Sequence, residues 1–155
     1  MILTLHTNMA KKIWLVSRLE QLNNGKLVDF IVETLKENEK LIIDLNKRQL
    51  LLGKRADGTS LGDYSPRSLE LKQKRGKPSI SGNKISLHDT GEFWNKFFVE
   101  VNKDIMTILS KDEKTSMLIF HYYEQIFRLS DESIRKLQEK IIPTLRTKIM
   151  TFLTA

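Results

Sequence analysis

The sequence predicts an α+β fold with long N-terminal helices, a small antiparallel sheet near residues 97–109, and a C-terminal helix kinked at Pro143. Apolar residues recur at helical spacing before residue 53 and again after residue 130. Between these regions, two β-branched and aromatic runs flank Asn102-Lys103-Asp104, which is typical of a hairpin. The 155 residues fit a single domain. Within it we distinguish an N-terminal helix (1–25) and a basic, loop-rich insert (53–86).

Two helices are predicted before the insert. Asn8 can cap the first, and Asn23-Asn24-Gly25 ends it, because Gly and Asn favour the left-handed position that closes a helix. The second runs from about Lys26 to about Leu52. Its apolar stripe comprises Val28, Ile31, Leu35, Ile42 and Leu45. Leu50-Leu51-Leu52 predicts that the end of this helix is buried on more than one side, in the core or against a partner.

The insert begins as a loop between Gly53 and Gly62, marked by Asp57-Gly58. Ser65-Pro66 is a good helix start, with Ser as the cap and Pro at the first helical position. We expect a short, exposed, basic helix over 66–75, broken by Lys77-Pro78.

After the insert, residues 92–96 predict one turn of helix and residues 97–109 the hairpin. Residues 117–127 are rich in aromatics and predict another helix. Ser130-Asp131-Glu132 combines a cap with an acidic first turn, which suits the positive end of a helix dipole. The last helix should kink at Pro143, because proline cannot donate to Glu139.

Charge is concentrated in one part of the chain. The formal net charge is +7, and ten basic against three acidic residues lie between residues 46 and 84, so the remainder is neutral in sum. Such a field favours phosphate or an acidic protein surface. The candidate contacts to a partner or to nucleic acid are Lys54, Arg55, Arg67, Lys72, Lys74, Arg75 and Lys77.

Three interpretations of these basic residues stay open. They can contact nucleic-acid phosphate without reading sequence, contact an acidic neighbouring subunit, or form a solvated face. Tyr64 is the only aromatic residue between Gly53 and Lys84, so side chains for base stacking are scarce.

Asp89-Thr90-Gly91 invites comparison with the catalytic triplet of aspartic proteases, in which two such aspartates share a proton. Here His88 precedes the triplet and the charged Glu92 follows it, which fits that class poorly. We predict a structural turn instead, in which Asp89 or Thr90 caps the helical turn at 92–94 and Gly91 eases the bend.

The sequence has few residues that suit other kinds of catalytic or binding site. The chain has no cysteine, which excludes disulfides, thiol nucleophiles and thiolate metal sites. His6, His88 and His121 do not lie at ligand spacing from one another, so no metal site is expected. Residues 53–60 hold the letters of a phosphate loop in the wrong order. We therefore predict no catalytic residues, no cofactor and no enzymatic activity.

The start of the chain is a poor signal peptide, because Lys11 and Lys12 follow the apolar residues instead of preceding them. No apolar run approaches the roughly 20 residues needed to span a membrane. We expect a soluble protein that is retained in the cell that makes it, without a membrane partner.

The order of several motifs resembles a group of uncharacterised prophage-encoded proteins. The segments that carry the resemblance are 44–50, Asp57-Gly58, 61–66, 74–78, 87–93, Tyr123-Glu124, 126–130 and Ile142-Pro143. More loosely, Leu87, Thr90, Gly91 and Phe93 are similar to the "Leu-x-x-Thr-Gly-x-Leu/Phe" turn of bacteriophage head–tail joining and tail-completion proteins. In those proteins the turn lies between a long helix and a short sheet with a C-terminal helix.

This resemblance implies a non-enzymatic phage structural or assembly protein that binds other phage structural proteins, in a homo-oligomeric ring at the neck or tail end. It also implies residence in the cytoplasm of the bacterial host and then in the virion. The chain departs from the family in its N-terminal residues 1–22 and in its long basic insert. The alternative is a small basic DNA-binding protein of a mobile element, whose nucleic-acid binding would be unspecific.

Overall fold

The computed structural model describes residues 14–76, 79, 81–102 and 105–155. The predicted cap at Asn8 and the predicted break at Lys77-Pro78 lie outside these residues. Residues 14–21 are helical and are followed by α1 (Leu27–Glu37), α2 (Glu39–Leu51), α3 (Pro66–Lys74), α4 (Glu92–Asn95), β1 (Phe97–Asn102), β2 (Ile105–Ser110), α5 (Thr115–Tyr122), a 3-10 turn (Glu124–Phe127) and α6 (Asp131–Thr154). These helices and the two-stranded antiparallel sheet confirm the α+β fold class.

The N-terminal helices break at two places. Gly25 has φ +109°, so the helix before α1 is interrupted at the predicted Asn-Asn-Gly. The prediction of one continuous helix from Lys26 to Leu52 is wrong, because Asn38 (φ −106°, ψ 17°) separates α1 from α2. The Asn38 side chain donates to the carbonyl of Thr34 at 2.8 Å, which satisfies one of the last carbonyl groups of α1. On either side of the break, α1 and α2 both pack on α6 and on β1.

The three leucines at the end of α2 have different environments. Leu50 is fully buried, whereas Leu52 is 62% exposed. Burial in the core is therefore wrong for Leu52, and burial against a partner stays a prediction. Residues 53–62 form the predicted loop, which is tied down by a hydrogen bond from the amide of Leu61 to the carbonyl of Gly53 at 2.8 Å.

The hairpin is present with the predicted strands. β1 and β2 pair antiparallel, with Phe97 opposite Ser110 and Val99 opposite Ile108. The amide of Val99 donates to the carboxylate of Glu39 at 2.9 Å, so α2 satisfies a backbone group on the outer edge of β1.

The chain after the hairpin departs from the prediction of one helix over 117–127. Tyr123 has φ +61°, so α5 ends at Tyr122 and a 3-10 turn follows it. Ser130 then caps α6 as predicted, because its hydroxyl accepts the amide hydrogen of Ser133. α6 contains Pro143 and is bent by 23°.

α6 runs beside α1 in the opposite direction. The ammonium group of Lys148 lies 3.0 Å from the carboxylate of Glu33 and 2.9 Å from that of Glu37, and the rings of Phe30 and Phe152 make an edge contact at 5.7 Å. No helix among the described residues is both long enough and apolar enough to cross a membrane.

Polar side chains of α2 fix the start of α6. Asn46 is fully buried, and its amide donates to the carbonyls of Ile126 at 3.0 Å and Arg128 at 3.1 Å. Gln49 donates to the carbonyl of Arg128 and accepts the amide hydrogen of Ser130 at 2.8 Å. These bonds join α2 to the backbone of a segment about 80 residues away and satisfy polar groups that are removed from water.

Candidate functional site

A pocket of about 340 Å³ gathers much of the predicted site, and we call it the α3 pocket. α3 forms one wall, and the segment 87–93 forms the opposite wall. Residues from beyond the hairpin complete the lining. The polar and charged lining residues are Tyr64, Ser68, Lys72, Arg75, Asp89, Thr90, Glu92, Asp112 and Lys114.

The local sequence positions α3 as predicted. Ser65 is extended (φ −63°, ψ 153°), and its hydroxyl accepts the amide hydrogen of Ser68 at 3.2 Å. Pro66 occupies the first helical position, where its missing N–H costs nothing. The helix ends at Lys74. Lys72 and Arg75, near this end, both line the pocket.

Lys72 does not behave as a surface lysine. Only 11% of its side chain is exposed, and its ammonium group donates to the carbonyl of His88 at 3.0 Å and to the carboxylate of Asp89 at 3.2 Å. The same group lies 4.9 Å from the centre of the Tyr64 ring. The prediction that Lys72 belongs to an exposed contact face is therefore wrong. Its charge holds α3 against the turn that starts at His88.

The Asp89-Thr90-Gly91 segment forms a turn that leads into α4. Gly91, and not Asp89 or Thr90, occupies the N-cap position of α4 and makes no side-chain cap hydrogen bond. The hydroxyl of Thr90 accepts the amide hydrogen of Glu92 at 3.3 Å, and Asp89 pairs with Lys72. Gly91 has φ +87°, a conformation that residues with a Cβ rarely adopt. The turn leads directly into α4, whose Phe93 is buried in the core.

The side of the pocket beyond the hairpin is built around a buried carboxylate. The Asp112 side chain is 7% exposed and accepts hydrogen bonds from the amide of Lys114 at 3.0 Å and from the ammonium group of Lys96 at 3.1 Å. The bond from Lys114, followed by that from Lys96, lowers the pKa of Asp112 below its ordinary value. The same contact with Asp112 raises the pKa of Lys96.

The other predicted contact residues lie apart from this pocket. Lys54 and Arg55 belong to the loop 53–62, where Arg55 donates to the hydroxyl of Thr59 at 3.2 Å. Arg67 is exposed on α3, and Lys74 pairs with Glu70 at 2.6 Å. Lys77 lies outside the described residues. Of the seven basic residues, only Lys72 and Arg75 line the pocket.

Sequence reasoning missed the wall formed by Asp112, Lys114 and Leu118. These residues follow the hairpin and lie about 40 positions from α3 along the chain, so no spacing pattern connects them to the basic helix. The pocket therefore combines ammonium, guanidinium and carboxylate groups. Such a mixture suits a protein surface with charges of both signs better than a polyanion alone.

A second concave surface follows the free edge of the sheet, and we call it the β2 groove. It has a volume of about 560 Å³ and is lined by residues 105–109 of β2 together with Ile119, Glu124, Phe127, Arg128, Leu129 and Ile134. Glu124 and Arg128 form an ion pair with each other at 3.2 Å. The other lining residues outside β2 are apolar, so the groove offers an apolar floor.

Within the described part of the chain, no three or more His, Cys, Asp or Glu side chains are grouped so that they could hold a metal ion. In comparisons with protein-family models, with curated proteins and with solved structures, the chain matched none.

Proposed function

We propose that this protein is a non-enzymatic structural or assembly subunit of a bacteriophage, of the tail-completion or head–tail joining type, which binds neighbouring phage subunits. The observation that supports this function best is the β2 groove, where an apolar floor lies beside an open strand edge. The motif order that resembles prophage-encoded proteins agrees with it.

The groove has the properties of a surface that another chain covers. Ile105 on its rim is 65% exposed. Water contact with such side chains is unfavourable by about 25 cal/mol per Å² of apolar area. Exposed apolar patches that are rimmed by polar residues are typical of protein-binding surfaces.

The distribution of basic residues favours protein partners over a polyanion. Lys74 pairs with Glu70, Lys84 pairs with Asp63 at 2.9 Å, and Lys72 is buried against Asp89. Three of the eight basic residues of the insert are thus paired with acidic residues of the same chain. A neighbouring subunit can still meet the exposed Arg67 and Arg75 with carboxylates.

A null allele in the prophage tests this function. We expect induced cells to accumulate separate heads and tails in negative-stain electron microscopy, with a large loss of infectious titre, because particles cannot be completed without their joining or completion subunits. A plasmid copy of the wild-type gene should restore the titre. Normal joined particles and an unchanged titre in the null strain would contradict the proposed joining or completion role.

A binding measurement with the purified protein distinguishes the DNA-binding alternative. An unspecific DNA-binding protein that contacts several phosphates would lose affinity steeply as salt rises. We expect no such binding to duplex DNA. Tight, strongly salt-dependent binding that is lost in the variant Arg67→Glu/Arg75→Glu would favour the alternative.

A further inference from the structure

β2 has an open edge with a defined hydrogen-bonding pattern. Among the described residues, β1 is the only strand that pairs with β2. The amide of Lys111 donates to the carbonyl of Lys96 at 3.1 Å, and the alternation of an antiparallel ladder then turns the N–H and C=O groups of Met106 and Ile108 away from β1. Open edges of this kind accept an added strand through their backbone groups.

The β2 groove selects the kind of segment that can be added. Its floor contains Ile119, Leu129 and Ile134, which lie on one side of the sheet edge. Because side chains alternate between the two faces of a strand, a matching segment carries an apolar residue at every second position. The part of this segment that lies over the floor of the groove also has no charged side chains.

Residues 2–7 of this chain have that pattern. Leu3 and Leu5 would lie on one face of an extended segment, and Ile2, Thr4 and His6 on the other. No Asp, Glu, Lys or Arg precedes Lys11 in the sequence. Residues 1–13 lie outside the described part of the chain.

The point where this segment joins the described chain is far from the groove of the same copy. Arg18 stacks on the ring of Phe152 at 4.8 Å, near the C-terminal end of α6. Ile134 of the groove lies 18 residues earlier in α6, a separation of about 27 Å at 1.5 Å per residue. The connection from residue 7 to residue 14 spans at most about 25 Å when fully extended. To reach the groove of its own copy, the connection would have to be almost fully extended, whereas a second copy as the recipient makes no such demand.

We propose that residues 2–7 of one copy add a strand to the β2 edge of the next copy, with Leu3 and Leu5 in the β2 groove. This contact rests on the proposed assembly function and names the partner as a second copy of the chain. Each copy gives its segment at one end and accepts a segment at the other. Such a head-to-tail contact builds a ring if its rotation closes, and a filament if it does not.

Disulfide trapping in the full-length protein tests the contact, because the native sequence has no cysteine. One preparation carries Thr4→Cys, and the other carries Ile105→Cys or Thr107→Cys on the face of β2 that Thr4 would share. A matched acceptor, Thr147→Cys, is exposed on α6 outside the groove. Mixing two single-cysteine preparations under mild oxidation allows a mixed disulfide to form only between copies.

We expect at least about tenfold more mixed dimer with a β2 acceptor than with Thr147→Cys, since a disulfide requires Cα atoms within about 7 Å. The variant Leu3→Asp/Leu5→Asp should lower the oligomer fraction in sedimentation velocity, whereas Asn8→Asp/Ala10→Asp, with the same added charge, should not. Equal trapping at all acceptors would overturn the proposal. A Thr4→Cys/Thr107→Cys chain that closes only within itself would also overturn it. Neither result tests whether the protein is present in phage particles. Mass spectrometry of purified particles tests that separately.

Discussion

Lys72 and Lys74 lie two residues apart on α3, and replacing each with methionine distinguishes a structural lysine from a surface lysine. Both changes remove one positive charge and keep a long, unbranched side chain. The ammonium group of Lys72 is held by the carbonyl of His88 and the carboxylate of Asp89. That of Lys74 contacts Glu70 one turn away on the same helix, where both side chains are more than half exposed.

We expect Lys72→Met and Lys74→Met to lower the free energy of unfolding by different amounts, and the difference is larger than the error of a denaturation experiment. A hydrogen bond from a charged donor contributes about 1.5–3 kcal/mol to the free energy of unfolding. Asp89 is 46% exposed, so water can solvate its carboxylate after the change, and the added methionine recovers some apolar burial. We expect Lys72→Met to lower the free energy of unfolding by about 1–2 kcal/mol. Lys74→Met should lower it by about 0.5 kcal/mol or less, as exposed helix pairs do.

Urea denaturation of the wild-type protein and the two variants measures these costs, with a similar slope against urea as the check that all three unfold alike. Equal stability of the two variants would refute the structural role of Lys72. The structural role of Lys72 also determines which basic residues can be changed to test partner binding. Charge reversal at Lys72 would destabilise the fold, so variants of Arg67, Lys74 and Arg75 are the appropriate ones.

Three further predictions follow from the described contacts. Asn46→Ala should lower the free energy of unfolding by about 1–3 kcal/mol, because a buried carbonyl loses its only side-chain donor; an unchanged urea midpoint would contradict this. Asp112→Asn should destabilise the protein near pH 7. Because the hydrogen bond from Lys114 lowers the pKa of Asp112 in the folded state, this stability is present above about pH 4 and is lost as pH falls through the folded pKa. The stability difference from wild type should therefore shrink towards about pH 2, and a constant difference in urea titrations at both pH values would be inconsistent. Gly53→Ala should lower the thermal midpoint more than Gly58→Ala, because both have positive φ but only the first places a Cβ 2.8 Å from another side-chain carbon; equal shifts would argue against this close approach.

Features that depend on a few neighbouring residues were predictable from the sequence. Ser65 and Ser130 cap their helices, and Gly25 interrupts the first helix, because each effect needs only the local backbone. The hairpin follows from its β-branched runs. The bend of the last helix was also predictable. Pro143 has no backbone N–H to donate to the carbonyl four residues earlier, and this holds whether the residue is buried or exposed.

Features set by distant contacts were not predictable. The apolar stripe continues through Asn38, so periodicity alone joins α1 to α2. The break lies at Asn38, whose φ of −106° and ψ of 17° leave the helical range although both helices pack on α6 and β1. Tyr123 similarly ends α5 within an apolar and aromatic run that has no proline or glycine.

The candidate site shows the same division. The turn at Asp89-Thr90-Gly91 was predicted from its residues, but Gly91, and not Asp89 or Thr90, occupies the N-cap position of α4. The burial of Lys72 was not predictable, because a count of charges treats every lysine as exposed. The two groups that hold its ammonium are the carbonyl of His88 and the carboxylate of Asp89, which lie 16 and 17 residues away along the chain. The β2 groove is formed by strand, turn and helix residues from three segments, which no single sequence pattern unites.

We propose that this protein is a component of phage particles. Quantitative mass spectrometry of particles purified from an induced culture of the strain that carries the gene tests it most directly, with the major capsid protein as the internal standard. We expect the chain at a low, fixed ratio to capsid across preparations, which would also indicate the size of a ring. Abundant capsid protein without this chain would contradict its role as a virion subunit.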